Sequence, residues 1–232
     1  MESFICKPKY VEGVDKSHLK QLIPEQLQDE PMTGTTIMAI EFDGGVVIGA
    51  DSRTSMGAYC SNRYADKLTP VTDKIFCCRS GSSADTQAVA DIVASYMEIL
   101  EIKMGEPVAV QIAANTFKEI CYNYRDRLTA GIIVAGWDKM KKGQVYIIPL
   151  GGMMLRQPVA IGGSGSTFIW GYVDANYKEG MTKDEAVEFV KNAVTLALTR
   201  DNSSSGVVRV GIITKDGVER KVFTHDKLPK FQ

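Results

Sequence analysis

Five consecutive apolar or small side chains, Val-Val-Ile-Gly-Ala, precede Asp51 in the first part of the chain. A strand of this composition presents no polar face to water, which is typical of sheets covered on both sides. Residues 36–42 also favour a strand, and Asp43-Gly44-Gly45 between the two segments supplies a turn. The sequence therefore predicts a hairpin inside a layered fold.

Helical and strand patterns follow in pairs. Ser82 is predicted to cap a first helix, Pro107 to begin a second, and Thr182 with Glu185 to form the capping box of a later one. The apolar stripe predicted for the first helix comprises Ala88, Val89, Ile92, Val93 and Tyr96, and that for the second Ala113, Phe117, Ile120 and Tyr124. The other predicted elements are a strand at 74–78, a hairpin of 130–137 and 144–150 turning through 141–143, helices near 166–176 and 182–199, and strands at 207–214 and 218–223.

The order hairpin, helix pair, hairpin, helix pair, hairpin predicts how the layers stack. Paired helices can cover continuous apolar strands only from outside, so two stacked sheets between two helical layers satisfy every element. Residues 35–232 show no break in composition that would indicate a second domain. Residues 1–34 are polar, with little periodicity and no signal or transit pattern. They are either a ragged terminus or a pro-segment.

Composition narrows the possible partners and the compartment. Lys plus Arg number 27 against 28 Asp plus Glu, which does not favour nucleic acid or an anionic membrane as the main partner. No apolar run approaches the roughly 20 residues of a spanning helix. The five cysteines are odd in number and show no CxxC spacing, and adjacent Cys77 and Cys78 should point to opposite faces of a strand. We therefore expect core-filling thiols in a reducing compartment.

The sequence lacks most of the residues that common hydrolases use for catalysis. The only histidines are His18 and His225, so a Ser-His-Asp or Cys-His set is not expected. The sequence contains no HExxH motif or other metal-ligand cluster, and we expect neither metal nor cofactor. Residues 162–166, Gly-Gly-Ser-Gly-Ser, fit neither a nucleophile elbow nor a phosphate-binding loop. A hydrolase of this sequence would have to activate its nucleophile without histidine.

An N-terminal threonine can use its own α-amino group as the base. That amine has a pKa of about 8, so it can accept a proton close to neutrality. Gly34-Thr35 stands where the strand pattern begins, and a glycine there suits a tight turn in which the Thr35 hydroxyl attacks the preceding carbonyl. On the dipeptide alone, Thr35 and Thr36 could equally be β-branched residues that open a strand.

Several longer motifs resolve this choice by resemblance. They occur in order over essentially all of residues 35–232: Thr-Thr-Ile-Met-Ala at 35–39, Gly-Ala-Asp-Ser-Arg at 49–53, Ala-Asp-Lys-Leu at 65–68, Cys-Cys-Arg-Ser-Gly-Ser at 77–82, Gly-Gly-Met-Met at 151–154, Ile-Gly-Gly-Ser-Gly-Ser at 161–166, Gly-Tyr-Val-Asp at 171–174 and Arg-Asp-Asn-Ser-Ser-Ser-Gly at 200–206. These motifs resemble the active β subunits of the proteasome core particle, and among them the caspase-like (post-acidic) β1 type. The leading segment shows no such likeness, as expected of a variable pro-segment.

The resemblance implies a fold and a division of roles. The fold is an α+β, four-layer αββα sandwich of the N-terminal nucleophile hydrolase type, spanning residues 35–232 after removal of 1–34 by self-cleavage between Gly34 and Thr35. Thr35 would be nucleophile and base, Lys67 would lower the cost of deprotonating its hydroxyl, and Asp51 would hold Lys67. The remaining implied catalytic residues are Gly81, through an oxyanion-binding N–H, and Ser164, Asp201 and Ser204, which would orient the amine.

Arg79 indicates the subunit type. The resemblance places it at the base of the pocket for the residue before the cut bond, where a guanidinium favours Asp or Glu. The alternative is a structural pairing of Arg79 with a core carboxylate. The other implied pocket residues are Thr54, Ala65, Thr69 and Ser83, of which Ala65 and Ser83 depart mildly from the pattern of this type.

The resulting prediction is a threonine endopeptidase that cleaves after acidic residues. The resemblance implies assembly with other proteasome α and β subunits in stacked seven-membered rings, unfolded polypeptides as substrates, and a location in the cytoplasm and nucleus. Three rivals stay open: a small-substrate amidohydrolase of the same fold, a simpler homomeric bacterial protease, and a catalytically dead ring subunit. The last would require a missing nucleophile, whereas Thr35, Asp51 and Lys67 are all present.

Overall fold

The first of two large sheets is built around the predicted N-terminal hairpin. The computed structural model describes residues 34–56 and 59–231. Its first strands are β1 (Ile37–Phe42) and β2 (Gly45–Ala50), and a two-stranded hairpin of β3 (Thr54–Met56) and β4 (Tyr59–Asn62) follows. The first sheet is completed by β10 (Val159–Gly162), β11 (Val208–Thr214) and β12 (Gly217–Phe223), in the antiparallel order β10-β1-β2-β11-β12.

The second sheet comes from the middle of the chain. Its strands are β5 (Leu68–Thr72), β6 (Ile75–Gly81), β7 (Ala130–Asp138), β8 (Lys142–Ile148) and β9 (Leu155–Arg156), in sequential antiparallel order. The helices are α1 (Ser83–Met104), α2 (Val110–Asn123), α3 (Trp170–Asn176) and α4 (Lys183–Arg200), with 3-10 turns at Ser164–Phe168 and His225–Lys227.

Three apolar clusters define the four layers. Ile37 and Ile48 of the first sheet pack with Ile133 of the second, between the two sheets. The opposite faces of β1 and β2 pack under α4, in a cluster that includes Met38 and Val190. The outer face of the second sheet packs under α1 and α2. That cluster includes Ile132, Val89 and Phe117. The predicted α+β sandwich is therefore confirmed, and β1 and β2 are buried on both faces as their composition required.

The predicted orientation of α1 is wrong in part. Val89 and Val93 are buried, as expected, but Ala88, Ile92 and Tyr96 are exposed. The buried positions of α1 are Thr86, Val89, Ala90, Val93 and Met97. The helix carries apolar residues around much of its circumference, so more than one stripe fits the helical period, and packing on the second sheet selects among them.

Other boundaries also differ from the predictions. The second helix begins at Val110 rather than Pro107, and its first N–H donates to Asp138 Oδ2 (3.2 Å) instead of to a capping side chain. Tyr124 lies past its end and is exposed. The β7–β8 turn occupies residues 139–141, and the helix expected near 166–176 is a 3-10 turn followed by a short α-helix. The caps at Ser82 and Thr182 are confirmed.

The adjacent cysteines behave as core residues. Cys77 faces the helices and Cys78 faces the gap between the sheets, which confirms the opposite orientations expected along a strand. Burial raises the pKa of the Cys77 thiol to about 12, so it stays protonated at neutral pH. Within the described ranges, no helix has the length and apolar character needed to cross a membrane. Cys6, His18 and the predicted pro-segment before Gly34 lie outside the described residues.

Candidate active site

The ends of three strands supply the centre of the site. Thr35 lies just before β1, Asp51 directly follows β2, and Lys67 directly precedes β5. β1 and β2 belong to the first sheet and β5 to the second, so stacking of the sheets brings the three side chains together. All three residues are buried.

Lys67 is the hub of this group. Its Nζ donates to Asp51 Oδ1 (2.7 Å), to Thr35 Oγ1 (2.9 Å) and to the carbonyl of Gly34 (3.2 Å). These are the three donors that an ammonium group has. Burial lowers the pKa of Lys67, while the charge of Asp51 and its hydrogen bond oppose the fall. The Lys67 ammonium group thus contacts both the Thr35 hydroxyl and the Gly34 carbonyl.

Asp51 is fixed by backbone as well as by Lys67. Its Oδ1 accepts the N–H of Thr36 (2.9 Å), and its Oδ2 accepts those of Arg53 (3.2 Å) and Ser205 (3.3 Å). Burial raises the pKa of the Asp51 carboxyl, and Lys67 together with these N–H groups acts in the opposite direction. The carboxylate therefore has little freedom to turn, and it fixes the position of Lys67.

A second polar group surrounds the backbone nitrogen of Thr35. That nitrogen donates to Ser164 Oγ (3.1 Å), and Ser164 donates to Asp201 Oδ2 (2.7 Å). Ser204 also donates to Asp201 Oδ2 (2.7 Å) and shares a 2.7 Å hydrogen bond with the hydroxyl of Thr36.

The charge state of Asp201 follows from these contacts. Burial alone would raise the pKa of Asp201, but hydrogen bonds from Ser204, Ser203 and Ser164 and the charge of Lys67 outweigh it and lower the pKa. Asp201 is thus an anion at neutral pH, joined through Ser164 to the nitrogen of Thr35.

The peptide bond before Thr35 lies inside the site. The Thr35 hydroxyl donates to the Gly34 carbonyl (2.8 Å), which Lys67 also contacts. A Cβ on Gly34 would collide with Ser203, both with its side chain and with its backbone carbonyl. Space at this position therefore requires glycine, and the tight turn suggested by the sequence stays a prediction.

Gly81 stands at the junction of β6 and α1. It has a φ of 103° and is followed by Ser82, the N-cap of α1. A Cβ at this position would collide with the carbonyl of Thr129, so both backbone conformation and space require glycine. The oxyanion role of its N–H stays a prediction.

The Arg79 guanidinium is surrounded by neutral acceptors. Nε donates to Thr69 Oγ1 (2.8 Å), and Nη2 to the carbonyl of Asp66 (3.2 Å). Nη1 makes longer contacts with Thr86 Oγ1 (3.4 Å) and the carbonyl of Ser83 (3.5 Å). Among the described residues no carboxylate forms an ion pair with Arg79. The described part of the chain therefore gives no support to a structural pairing of Arg79 with a core carboxylate.

The other predicted pocket residues are only partly brought together. Thr69 and Ser83 contact Arg79. Ala65 is held by its backbone, which donates to Ser52 and accepts from Arg209. Thr54 lies on the separate β3–β4 hairpin, where its carbonyl accepts a bond from Ser61. No hydrogen bond in the described part of the chain joins Thr54 or Ala65 to Arg79.

Sequence reasoning missed several supporting residues. Thr36, Arg53 and Ser205 contribute backbone N–H groups to Asp51, while Asp66 and Thr86 hold Arg79. Most of these act through backbone atoms, which no side-chain pattern reveals. Over the described ranges, no group of three or more His, Cys, Asp or Glu side chains could hold a metal ion.

Comparison with known proteins gives consistent matches. The protein-family model described as "Proteasome subunit" matches residues 32–213. "Proteasome subunit beta type-6" of Dictyostelium discoideum is 54% identical over 208 residues, which cover 90% of this chain and 97% of the relative. "Proteasome subunit beta type-1" of Saccharomyces cerevisiae is 54% identical, with 85% and 92% covered. "Proteasome subunit beta type-9" of Rattus norvegicus is 55% identical, with 87% and 92% covered.

Proposed function

This chain belongs to the proteasome β-subunit family, and we propose that it is a threonine endopeptidase of the core particle that cleaves after acidic residues. The contact of Lys67 with both Thr35 Oγ1 and Asp51 carries the proposal of activity, because it leaves the proposed nucleophile and its supporting charge in hydrogen-bond contact. A catalytically dead subunit would need no such arrangement.

The proposed reaction uses the nitrogen of Thr35 as base. Once that nitrogen is a free amine, it takes the proton of Oγ1, and Oγ1 attacks the substrate carbonyl carbon. Lys67 stabilises the developing negative charge, and the amine returns the proton to the leaving nitrogen as the peptide bond breaks. Water then hydrolyses the ester on Thr35. Ser164, held by Asp201, orients the amine throughout.

The same hydroxyl is proposed to release the amine. Thr35 Oγ1 attacks the carbonyl carbon of Gly34, whose oxygen is polarised by Lys67. The bond from Gly34 to the Thr35 nitrogen breaks, and that nitrogen gains the proton that Oγ1 has lost. Residues 1–34 remain attached to Oγ1 as an ester until water hydrolyses it. The mature chain then begins at Thr35, and residues 1–34 are the pro-segment.

Arg79 is the proposed determinant of acidic preference. Its partners among the described residues are neutral hydroxyls and carbonyls, so no carboxylate in that part of the chain cancels its positive charge. The carboxylate of a substrate Asp or Glu would supply the missing negative charge. Its charge-assisted hydrogen bond with Arg79 would be worth roughly 1.5–3 kcal/mol. Thr69 and Ser83 contact the same guanidinium, and Thr54 and Ala65 complete the proposed pocket.

The setting of this activity is part of the proposal. Membership of the family supports assembly with other proteasome subunits. We propose stacked seven-membered rings of α and β subunits, unfolded polypeptides as substrates, and a cytoplasmic and nuclear location. An amidohydrolase or a homomeric bacterial protease is less consistent with relatives that are named as numbered β subunits.

The test of specificity is the variant Arg79→Ala in assembled particles whose other active subunits are disabled. Peptides differing only in the residue before the cut bond are compared, Glu against Leu. The ratio of kcat/KM values should fall about 10–100-fold, while cleavage after Leu is retained. Arg156→Ala, which changes an arginine on the short strand β9, is the control and should leave the ratio unchanged. A ratio within about twofold of wild type would contradict the specificity while leaving the peptidase activity standing.

A further inference from the structure

The direction of the Arg79 guanidinium depends on the segment that precedes β5. Its Nη2 donates to the backbone carbonyl of Asp66 (3.2 Å), and its backbone N–H donates to the carbonyl of Lys67 (3.1 Å). The contacts of Nη1 with Thr86 and Ser83 are long, at 3.4 and 3.5 Å. Thr69 on Nε and Asp66 on Nη2 therefore provide the two closer acceptors for the guanidinium.

The side chain of Asp66 is held from the other sheet. Arg220, on β12, donates from Nη2 to both carboxylate oxygens of Asp66, at 2.9 Å to Oδ1 and 2.7 Å to Oδ2. Oδ1 also accepts the N–H of Leu68 (3.0 Å), so the carboxylate closes a local turn onto its own backbone. β12 is the edge strand of the first sheet, whereas Leu68 begins β5 of the second.

We propose that Asp66 and Arg220 are positioning residues for acidic specificity. By fixing the Asp66 side chain, Arg220 fixes the peptide unit whose carbonyl orients Arg79. The inference rests on the proposed function, because it assigns a role in the pocket that Arg79 forms. It adds two residues that do not contact the substrate and that belong to neither the proposed catalytic group nor the proposed pocket.

This arrangement predicts a selective effect. Lys67 is adjacent to Asp66, but its ammonium group is fixed separately by Asp51 at 2.7 Å. Loosening Asp66 should therefore disturb the Arg79 guanidinium more than the catalytic ammonium. KM for substrates with an acidic residue before the cut bond should rise, while kcat and the cleavage of neutral substrates stay close to wild type.

The alternative is that Asp66 and Arg220 form an ordinary surface ion pair with no role in specificity. Both side chains are 39% exposed, and pairs of this kind contribute little to stability. The ion pair of Lys183 with Glu219 offers a matched control, because Glu219 is also on β12 and the exposed fractions are similar, 44% and 47%. It has no contact with Arg79, so its loss should leave specificity unchanged.

The experiment compares Arg220→Ala with Lys183→Ala in assembled particles whose other active subunits are disabled. Arg220→Ala should raise KM for the Glu peptide about two- to fivefold, with kcat and Leu cleavage within about 1.5-fold of wild type. Asp66→Asn should do the same, and the double variant should add little, because the two side chains act through one contact. Arg220→Lys should return KM to within about twofold of wild type, since a single nitrogen makes both contacts.

The outcomes separate the inference from the proposed function. If wild-type particles show no preference for Glu over Leu, the proposed specificity itself fails. If wild type shows the preference and Arg220→Ala keeps it, or lowers Glu and Leu cleavage alike, the positioning role is wrong. Equal effects of Arg220→Ala and Lys183→Ala would also overturn it, because they would assign the change to general stability.

Discussion

The ammonium nitrogen of Lys67 lies 2.9 Å from the hydroxyl oxygen of Thr35, and it reaches the preceding Gly34 carbonyl at 3.2 Å. One cation is thus placed against both the attacking and the attacked group of the proposed self-cleavage. After cleavage the same cation would remain beside the hydroxyl for every later substrate. A single residue can therefore serve maturation and turnover.

Replacing Lys67 with methionine should abolish both processes. The rate of each should fall at least about 10²–10³-fold, the usual effect of losing one stabilising donor. Mass spectrometry of the chain should find residues 1–34 still attached, and peptide hydrolysis should be lost. Lys74→Met, which removes a lysine remote from Thr35, should process normally.

Stability gives a check on this interpretation. Lys67→Met leaves Asp51 buried without its ion pair, which costs about 3–5 kcal/mol in free energy of unfolding. Lys67→Met/Asp51→Asn should recover most of that stability yet stay inactive. Activity in the double variant would contradict a catalytic role for Lys67.

Adding a single methyl group at Gly34 should block maturation. Gly34→Ala places a Cβ against Ser203 and displaces the bond that Thr35 must attack. Mass spectrometry after assembly should find residues 1–34 still attached to most of the subunits, against almost none in wild type. Ser203→Gly should fail to rescue it, because the Ser203 carbonyl also occupies that space. Full rescue would show that only the side chain of Ser203 matters.

The pH dependence of peptide hydrolysis should respond to Asp51. Burial lowers the pKa of Lys67 and Asp51 raises it, so Asp51→Asn should lower that pKa further. Lys67 would then lose its charge at lower pH, and the alkaline limb of the kcat/KM profile should move to lower pH. Asp138→Asn changes a carboxyl at the β7–β8 turn and should leave the limb in place. A shift to higher pH would contradict this view of Lys67.

The orientation of α1 can be tested by stability alone. Met97 of α1 is fully buried, so Met97→Ala should lower the free energy of unfolding of the full chain by about 2–5 kcal/mol. Tyr96 is 52% exposed, and Tyr96→Ala should cost less than about 0.5 kcal/mol. Urea denaturation measures both values. Similar losses for the two variants would mean that α1 packs on a different face.

The sequence predicts best the strands whose side chains are apolar on both faces, because both faces must then be buried. Val47 and Ile48 need cover on opposite sides, and this alone indicates a layered fold. α1 offers a choice, because Ile92 and Tyr96 make as regular a stripe as Val93 and Met97. The helical period cannot tell which of these two stripes is buried, because that depends on how α1 packs on the second sheet. β5 was missed because Leu-Thr-Pro-Val-Thr is short and contains a proline, which its edge position tolerates.

The candidate site divides in the same way. Thr35, Asp51 and Lys67 were predicted from the resemblance of their motifs, and the structure places them in contact. The anchoring of Asp51 by the N–H of Ser205, 154 positions away in sequence, depends on where the loop after α4 returns. No local pattern contains that information. The contact of Arg220 with Asp66 likewise exists only because β12 lies at the edge of the first sheet.

The placement of the site at the joint between two sheets has a consequence for the newly made chain. Thr35 and Asp51 adjoin strands of one sheet, while Lys67 adjoins a strand of the other. A folding intermediate that has completed only one sheet holds the hydroxyl without its lysine, or the lysine without its hydroxyl. In the proposed mechanism such an intermediate cannot cut the bond between Gly34 and Thr35, so the nitrogen of Thr35 stays in its peptide bond until both sheets have stacked.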